Sequence, residues 1–194
     1  MRIISGSKKG HSIYTFKSKF VRPLTDKNRE TIFNILIHGK EIIFEKHQIE
    51  SATILDLFAG TGSFSFEALS RGASQAILVE NDDSMIDLIK KNTEKLKFQD
   101  KVMILKENAC SLSHTKHKNN IDIVYCDPPY NEGLEQKAIK NLFKKNLINK
   151  NTLIILEQSR KSKKINILNL REIRNKVIGG SQFTFFKVET DLTL

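Results

Sequence analysis

The chain has 194 residues, 39% of them apolar and 28% charged, which suits one globular domain with a sizeable core and excludes a disordered or fibrous chain. No apolar run approaches the roughly 18 residues of a membrane helix, and MRIISGSKKGHS has a basic start without the apolar stretch of a secretory signal. We therefore expect a cytoplasmic protein without a membrane partner, and the formal net charge of +10 points instead to a polyanion such as nucleic acid.

That charge is unevenly placed. Arg2, Lys8, Lys9, Lys17, Lys19, Arg22, Lys27 and Arg29 crowd the first 29 residues, opposed there only by Asp26. Residues 1–50 thus read as a basic arm and helix with a phosphate-contacting surface, and residues 51–194 as an α/β domain. Within the arm, HSIYTFKSKFV alternates as a hairpin or two short strands would. Thr25 or Asp26 caps a helix through DKNRETIFNILIHG, where Ile32, Phe33, Leu36 and Ile37 recur at helical spacing and Gly39 marks the end.

From Ala52 the pattern becomes strand, glycine turn and helix. TILDLF is a buried strand broken by AGTG, and SFSFEALSRG is a helix stopped at Gly72. QAILVE is a second strand, followed by an amphipathic helix with Met85, Leu88, Ile89 and Leu96 inward. KVMIL, IDIVYC and NTLIILE supply three more strands. Between the last two lies a helix buried along Leu134, Ala138, Leu142 and Phe143. The tail resembles two strands around Gly179-Gly180, with Phe183, Phe185 and Phe186 as core residues. Alternating strands and helices imply a doubly wound, mostly parallel Rossmann-like sheet of seven strands with an antiparallel C-terminal hairpin.

In such a sheet, ligands bind beyond the carboxyl ends of the strands at the topological switch point. Two loops at that end carry distinctive residues. In DLFAGTG, Gly60 and Gly62 let the backbone approach a ligand, and Glu80, 18 positions past Gly62, ends the second strand where a ribose-binding acid belongs. The third glycine of a dinucleotide site is missing, since Ser65 stands there. Asp56 would repel a pyrophosphate but suits the ammonium of S-adenosylmethionine, which electrostatics therefore prefers over NAD. Asn108-Ala109, beyond the third strand, would border adenine or form a polar turn.

The second loop is DIVYCDPPY. Prolines provide no N–H, so the carbonyls at the Asp127-Pro128-Pro129 corner remain acceptors. With the Asp127 carboxylate they can hold both hydrogens of an exocyclic NH2, and Tyr130 offers a ring for stacking a splayed base. Glu157, ending the fifth strand, would line the cleft or cap a turn. Cys110 and Cys126 form no CxxC, and His11, His38, His47, His114 and His117 show no metal spacing, so no metal is expected.

These motifs resemble the class I methyltransferases whose D/N-P-P-Y/F/W motif modifies base amines. More narrowly, the chain is similar to the bacterial RsmD type of small-subunit ribosomal RNA guanine-N2 methyltransferase. The likeness runs through MRIISGSKKG, RPLTDKNRETIFNIL at 22–36, ILDLFAGTGSFSFEALSRGA at 54–73, VEND at 79–82, CDPPY at 126–130 and LIILEQS at 153–159. It implies that S-adenosylmethionine donates a methyl group to the N2 amine of a guanine in 16S ribosomal RNA or the small ribosomal particle; a monomer is expected.

The resemblance also implies residue roles. Asp56, Phe58, Ala59, Gly60 and Gly62 would shape the methionine pocket, Glu80 and Asn81 the ribose site, and Asn108 or Ala109 the adenine edge. Asp127 to Tyr130 would receive the guanine amine, with Asp127 also bordering the cofactor. Arg2, Lys8, Lys9, Arg22 and Arg29 would engage RNA phosphates. The same motif is compatible with DNA adenine or cytosine amines, although no segment is long enough for a separate target-recognition region. A non-catalytic RNA scaffold would not need the intact motifs.

Overall fold

The computed structural model describes residues 1–15, 25–40, 42, 49–113, 121–129, 133–162 and 164–189. The expectations placed on Lys17, Lys19, Arg22 and Tyr130 lie outside these residues, as does most of the HSIYTFKSKFV hairpin.

One seven-stranded sheet organises the chain: β1 (Thr53–Leu57), β2 (Gln75–Glu80), β3 (Val102–Lys106), β4 (Ile123–Cys126), β5 (Leu153–Ser159), β6 (Leu170–Ile178) and β7 (Ser181–Val188). The spatial order is β3-β2-β1-β4-β5-β7-β6. β1 to β5 pair in parallel, while β7 runs antiparallel to both β5 and β6. Order reverses between β1 and β4, so the loops leaving those two strands are neighbours at the switch point.

Helices α1 (Asp26–His38), α2 (Ser63–Ser70), α3 (Asp83–Leu96) and α4 (Leu134–Lys144) cover the two faces. Thr25 caps α1, its hydroxyl accepting from the Asn28 amide at 3.2 Å, and the Gly39 N–H closes the last turn on Ile35. The apolar stripes of α1, α2 and α3 share one core with Tyr125, Ile155, Phe183 and Phe185; α4 packs on the other face with Val124, Cys126, Leu156 and Phe186. The stripes differ in detail from expectation. In α3, Ile86 is buried while Met85 and Leu88 are half-buried, and α4 also buries Ile139.

On the first face Phe33 stacks on Phe64 at 5.0 Å between ring centres, and Phe64 lies nearly parallel over Tyr125 at 4.0 Å. Each such pair contributes about 0.5–1.5 kcal/mol beyond burial. The stack braces α1 and α2 against β4, the strand that ends in the two-proline corner.

The N-terminal segment is built into the same body. Ile3 and Ile13 enter the core shared with the sheet, and an antiparallel bridge joins Arg2 to Ser12. Glu67 of α2, fully buried, accepts the Ile4 and Ser5 amides at 2.8 and 3.0 Å. Ser70 binds the Ser5 carbonyl and the Lys8 amide. Gly6 passes so close that a Cβ would stand 1.8 Å from the Ser70 carbonyl oxygen, and its φ of +80° is one that side-chain-bearing residues rarely adopt.

Candidate active site at the switch point

Leu57 of β1 lies opposite Cys126 of β4, so Phe58 and Asp127 leave adjacent strands at the same level. Neighbouring strands are about 4.8 Å apart, which brings the glycine loop and the two-proline corner side by side. Asp56, Phe58, Ala59, Gly60, Gly62, Glu80, Asn81, Asp127, Pro128 and Pro129 all gather at this end of the sheet.

The loop after β1 is held in an unusual conformation. Phe58 has φ +62°, as well as Gly60 at +54° and Gly62 at +75°. For a phenylalanine this region costs about 1–2 kcal/mol, which the Ala59 amide on the Val79 carbonyl and the packing of the ring help to offset. The two glycines have different reasons. A Cβ on Gly62 would stand 2.7 Å from Phe66 and 2.9 Å from Leu78, so Gly62 is required by packing. A Cβ on Gly60 would meet nothing within 4 Å and project into open space, where a ligand can lie against the backbone.

Glu80 is fixed by three backbone donors. The Gly60 amide reaches Oε2 at 2.8 Å, and the amides of Asn81 and Asp82 reach Oε1 at 2.8 and 3.0 Å. A carboxylate has about four lone-pair sites, so one remains for a hydroxyl donor. Asn81 contributes here through its backbone, with its side chain exposed. Asp82 caps α3.

Asp56, 2% exposed, lies beneath the loop and is bound by the Ser65 hydroxyl at 2.6 Å. Burial pushes its carboxyl up to about 7, with the Ser65 hydrogen bonds pulling down and Glu80 pushing further up. Gly62, the residue preceding α2, has no side chain to cap it, and the Asp56 carboxylate reaches the first turn of the helix through Ser65.

At the second loop Asp127 is half-buried, Pro128 buried and Pro129 exposed. Burial, then the charges of Glu157 and Asp56, hold the Asp127 carboxyl well above the usual carboxylate range. Glu157 proves to be a buried member of this cluster, 4% exposed, whose Oε2 accepts from the Tyr125 hydroxyl at 2.5 Å.

Other sequence assignments fare differently. Asn108 spends its side-chain oxygen on the Cys110 amide at 2.8 Å, capping a short turn after β3, and Ala109 is buried in the core. Adenine could therefore meet only the backbone of Ala109 or the exposed remainder of Asn108. Arg2 and Lys9 are exposed, and Lys8 lies over the Phe98 ring at 5.5 Å.

Arg29 is corrected: its side chain has no exposed surface, so it does not face RNA. It donates to the Arg2 carbonyl and to Asp26 at 2.9 Å, with Nε 3.5 Å from Glu67. Its partner Glu67 also pairs with Arg71 at 2.7 Å, tying the arm to α2.

Three supporting residues escaped sequence reasoning: Ser65, Tyr125 and Asn92. Buried Asn92 accepts from the Tyr14 amide at 2.7 Å and donates to the carbonyls of Tyr14 and Thr61 at 3.1 and 3.2 Å, linking the N-terminal segment to the glycine loop. The legible signal was a polar residue inside the apolar stripe of α3.

The family model described as Conserved hypothetical protein 95 matches residues 1–187. The Ribosomal RNA small subunit methyltransferase D of Haemophilus influenzae is 30% identical, over 96% of this chain and 93% of that protein. The solved structure of the candidate methyltransferase yhhF from Escherichia coli superposes with a TM-score of 0.79 at 31% identity, over 98% of this chain and 99% of that one. An RNA methyltransferase from Salinibacter ruber, solved with S-adenosyl-L-homocysteine, shares the fold at TM-score 0.63 and 12% identity, covering 88% of this chain and 96% of that one. Among the described residues no helix is long and apolar enough to cross a membrane. With its sequence matched almost end to end and its switch-point loops in place, the chain belongs to the Conserved hypothetical protein 95 family and is a methyltransferase of the RsmD type.

Proposed function

We propose that the protein methylates the exocyclic N2 amine of a guanine in 16S ribosomal RNA, with S-adenosylmethionine as donor, in the cytoplasm and as a monomer. The observation that carries this reading is the side-by-side exit of the Gly60 loop and the Asp127-Pro128-Pro129 corner from paired strands. The residues present fit such a donor. Open space over Gly60 admits its body, the remaining lone pair of Glu80 suits a ribose hydroxyl, and Asp56 supplies negative charge for an ammonium. Bound S-adenosylmethionine supplies a methyl group on a positively charged sulfur.

The amine nitrogen of guanine is a weak nucleophile because its lone pair is delocalised into the ring. The chain therefore has to orient it and stabilise the charge that develops. Asp127 and the carbonyls at the proline corner accept the two amine hydrogens, pointing the lone pair towards the glycine loop. On gaining a methyl group the nitrogen would become more acidic. One proton then passes to the Asp127 carboxylate or to water. The elevated proton affinity of Asp127 favours its acting as that acceptor. Tyr125, stacked on Phe64 and bonded to Glu157, keeps the end of β4 from shifting.

The test is Asp127→Ala. S-adenosylhomocysteine should still raise the melting temperature almost as in wild type, while turnover on 16S RNA falls by at least about 10²-fold. A parallel loss of cofactor binding would assign Asp127 to structure instead. Mass mapping of ribosomal RNA from cells lacking the protein should show one missing N2-methylguanine. Assays on naked 16S RNA and on assembled small-subunit particles then identify the form methylated.

A further inference from the structure

A second feature lies away from the switch-point loops. A groove of about 410 Å³ runs between the C-terminal half of α1 and the edge strand β6, lined by Thr31, Asn34, His38, Lys40, Arg174 and Lys176. Among the described residues every titratable side chain in that lining is basic, and Lys40, His38 and Lys176 are exposed.

The register explains how two cations of one strand come to face the helix. Glu172 pairs with Phe186, on the α4 side, whereas Arg174 pairs with Phe185 and Lys176 with Phe183, both on the α1 side. Strict alternation would place Glu172, Arg174 and Lys176 on one face. The bulge between Glu172 and Arg174 inserts one residue and turns both cations towards α1, leaving the carboxylate on the other side.

The same register locates the groove relative to the acceptor corner. β6 runs parallel to β5, and Lys176, Phe183 and Glu157 form one transverse row. Glu157 follows Leu156, the partner of Cys126, so this row is level with Asp127. Three strand spacings separate β4 from β6, or about 14 Å, a distance spanned by a short single-stranded segment.

We infer that the α1–β6 groove binds the RNA backbone beside the target guanine, a few nucleotides from the base held at Asp127. The inference rests on the proposed RNA substrate. The Asn34 amide adds hydrogen-bond donors that phosphate oxygens accept, and the cations supply the counter-charge. Such contacts position the strand without reading its sequence. They contribute through KM and salt dependence rather than through the chemical step.

The experiment compares wild type, the triple variant Lys40→Gln/Arg174→Gln/Lys176→Gln, and a control triple Lys90→Gln/Lys91→Gln/Lys101→Gln on α3 and its adjoining turn, which removes equal charge elsewhere. In-vitro transcribed 16S RNA is the probe, and melting temperature and S-adenosylhomocysteine affinity verify that each variant is folded with its cofactor site intact. Should the groove triple prove misfolded, the single variant Lys176→Gln, at an exposed position, replaces it with a proportionately smaller effect.

The groove triple should weaken RNA binding and raise KM for RNA about tenfold or more, with kcat at saturating RNA unchanged. Its log K against log salt slope should flatten by about 2, three single-strand phosphate contacts at about 0.7 each. The control should change both much less. Wild-type binding with an unaltered groove variant, or equal effects from both triples, overturns the groove. A defect confined to assembled particles, with naked RNA bound normally, also overturns it and points to a ribosomal protein. Wild type that neither binds nor methylates RNA overturns the substrate reading itself.

Discussion

Asp56→Asn separates the two tasks proposed for one carboxylate. Its carboxyl stands near 7 instead of 3.8, chiefly because burial disfavours the charge. The folded chain therefore retains a proton that the unfolded chain has released between about pH 4 and about 7, and stability of the cofactor-free protein falls as pH rises through that window. Roughly three units at about 1.4 kcal/mol each give about 4 kcal/mol as the largest loss. Asparagine keeps an oxygen for the Ser65 hydroxyl but has no charge to bury. Chemical unfolding at about pH 5 and about pH 8 should show this contribution in wild type and its absence in the variant, which becomes the more stable protein at the alkaline end. Calorimetry with S-adenosylhomocysteine should show the converse. Affinity near pH 8 falls about 10- to 100-fold on losing the counter-charge to its ammonium, about 1.4–2.8 kcal/mol. Wild-type binding weakens below about pH 7 as Asp56 protonates, and the variant's pH dependence is flatter. An undiminished affinity would reduce Asp56 to a cap for α2; an unchanged stability slope would show that another group titrates.

The two glycines of the first loop should fail differently. Gly62→Ala forces a methyl against Phe66 and Leu78 as well as a positive φ, and should cost about 2–4 kcal/mol in unfolding experiments. Gly60→Ala should cost only about 1–2 kcal/mol while weakening cofactor binding at least tenfold, and retained affinity would place the ligand elsewhere. Glu67→Ala strips the buried Arg29 of one partner and the Ile4 and Ser5 amides of their acceptor. Destabilisation of about 3–5 kcal/mol is expected, with residues 1–13 becoming protease-sensitive; a loss under about 1 kcal/mol would contradict that network's role. Since burial and then Glu157 raise the Asp127 carboxyl, turnover should fall as pH is lowered through its titration. Glu157→Gln should move that acidic limb to lower pH, and an unmoved limb would deny the coupling between the two carboxyls.

What the sequence disclosed, and what it concealed, follows from the range of the interactions. The glycine loop, Glu80 and the two-proline corner were legible because each is a local requirement: a backbone turn, an acid ending a strand, a missing N–H. Once alternating strands and helices implied a doubly wound sheet, topology alone brought those loops together. Arg29 was misread because its environment is set from a distance. Nothing near it in the chain reveals that Glu67, 38 positions later, lies buried against it, and a basic residue in a basic stretch looks like surface.

The same reason hid the roles of Ser65, noted only as replacing a third glycine, and of Tyr125, read as an ordinary strand residue, until the partner carboxylates were located. The β6 bulge was concealed most completely. LREIRNKVI shows no glycine or proline at the slip, and only pairing with β7 reveals that Arg174 and Lys176 have changed faces. A one-residue slip leaves composition and hydropathy untouched yet transfers two charges across the sheet. Substrate-facing charge is thus harder to read from the chain than the reacting corner: the corner is written in backbone chemistry, whereas the charged surface depends on register.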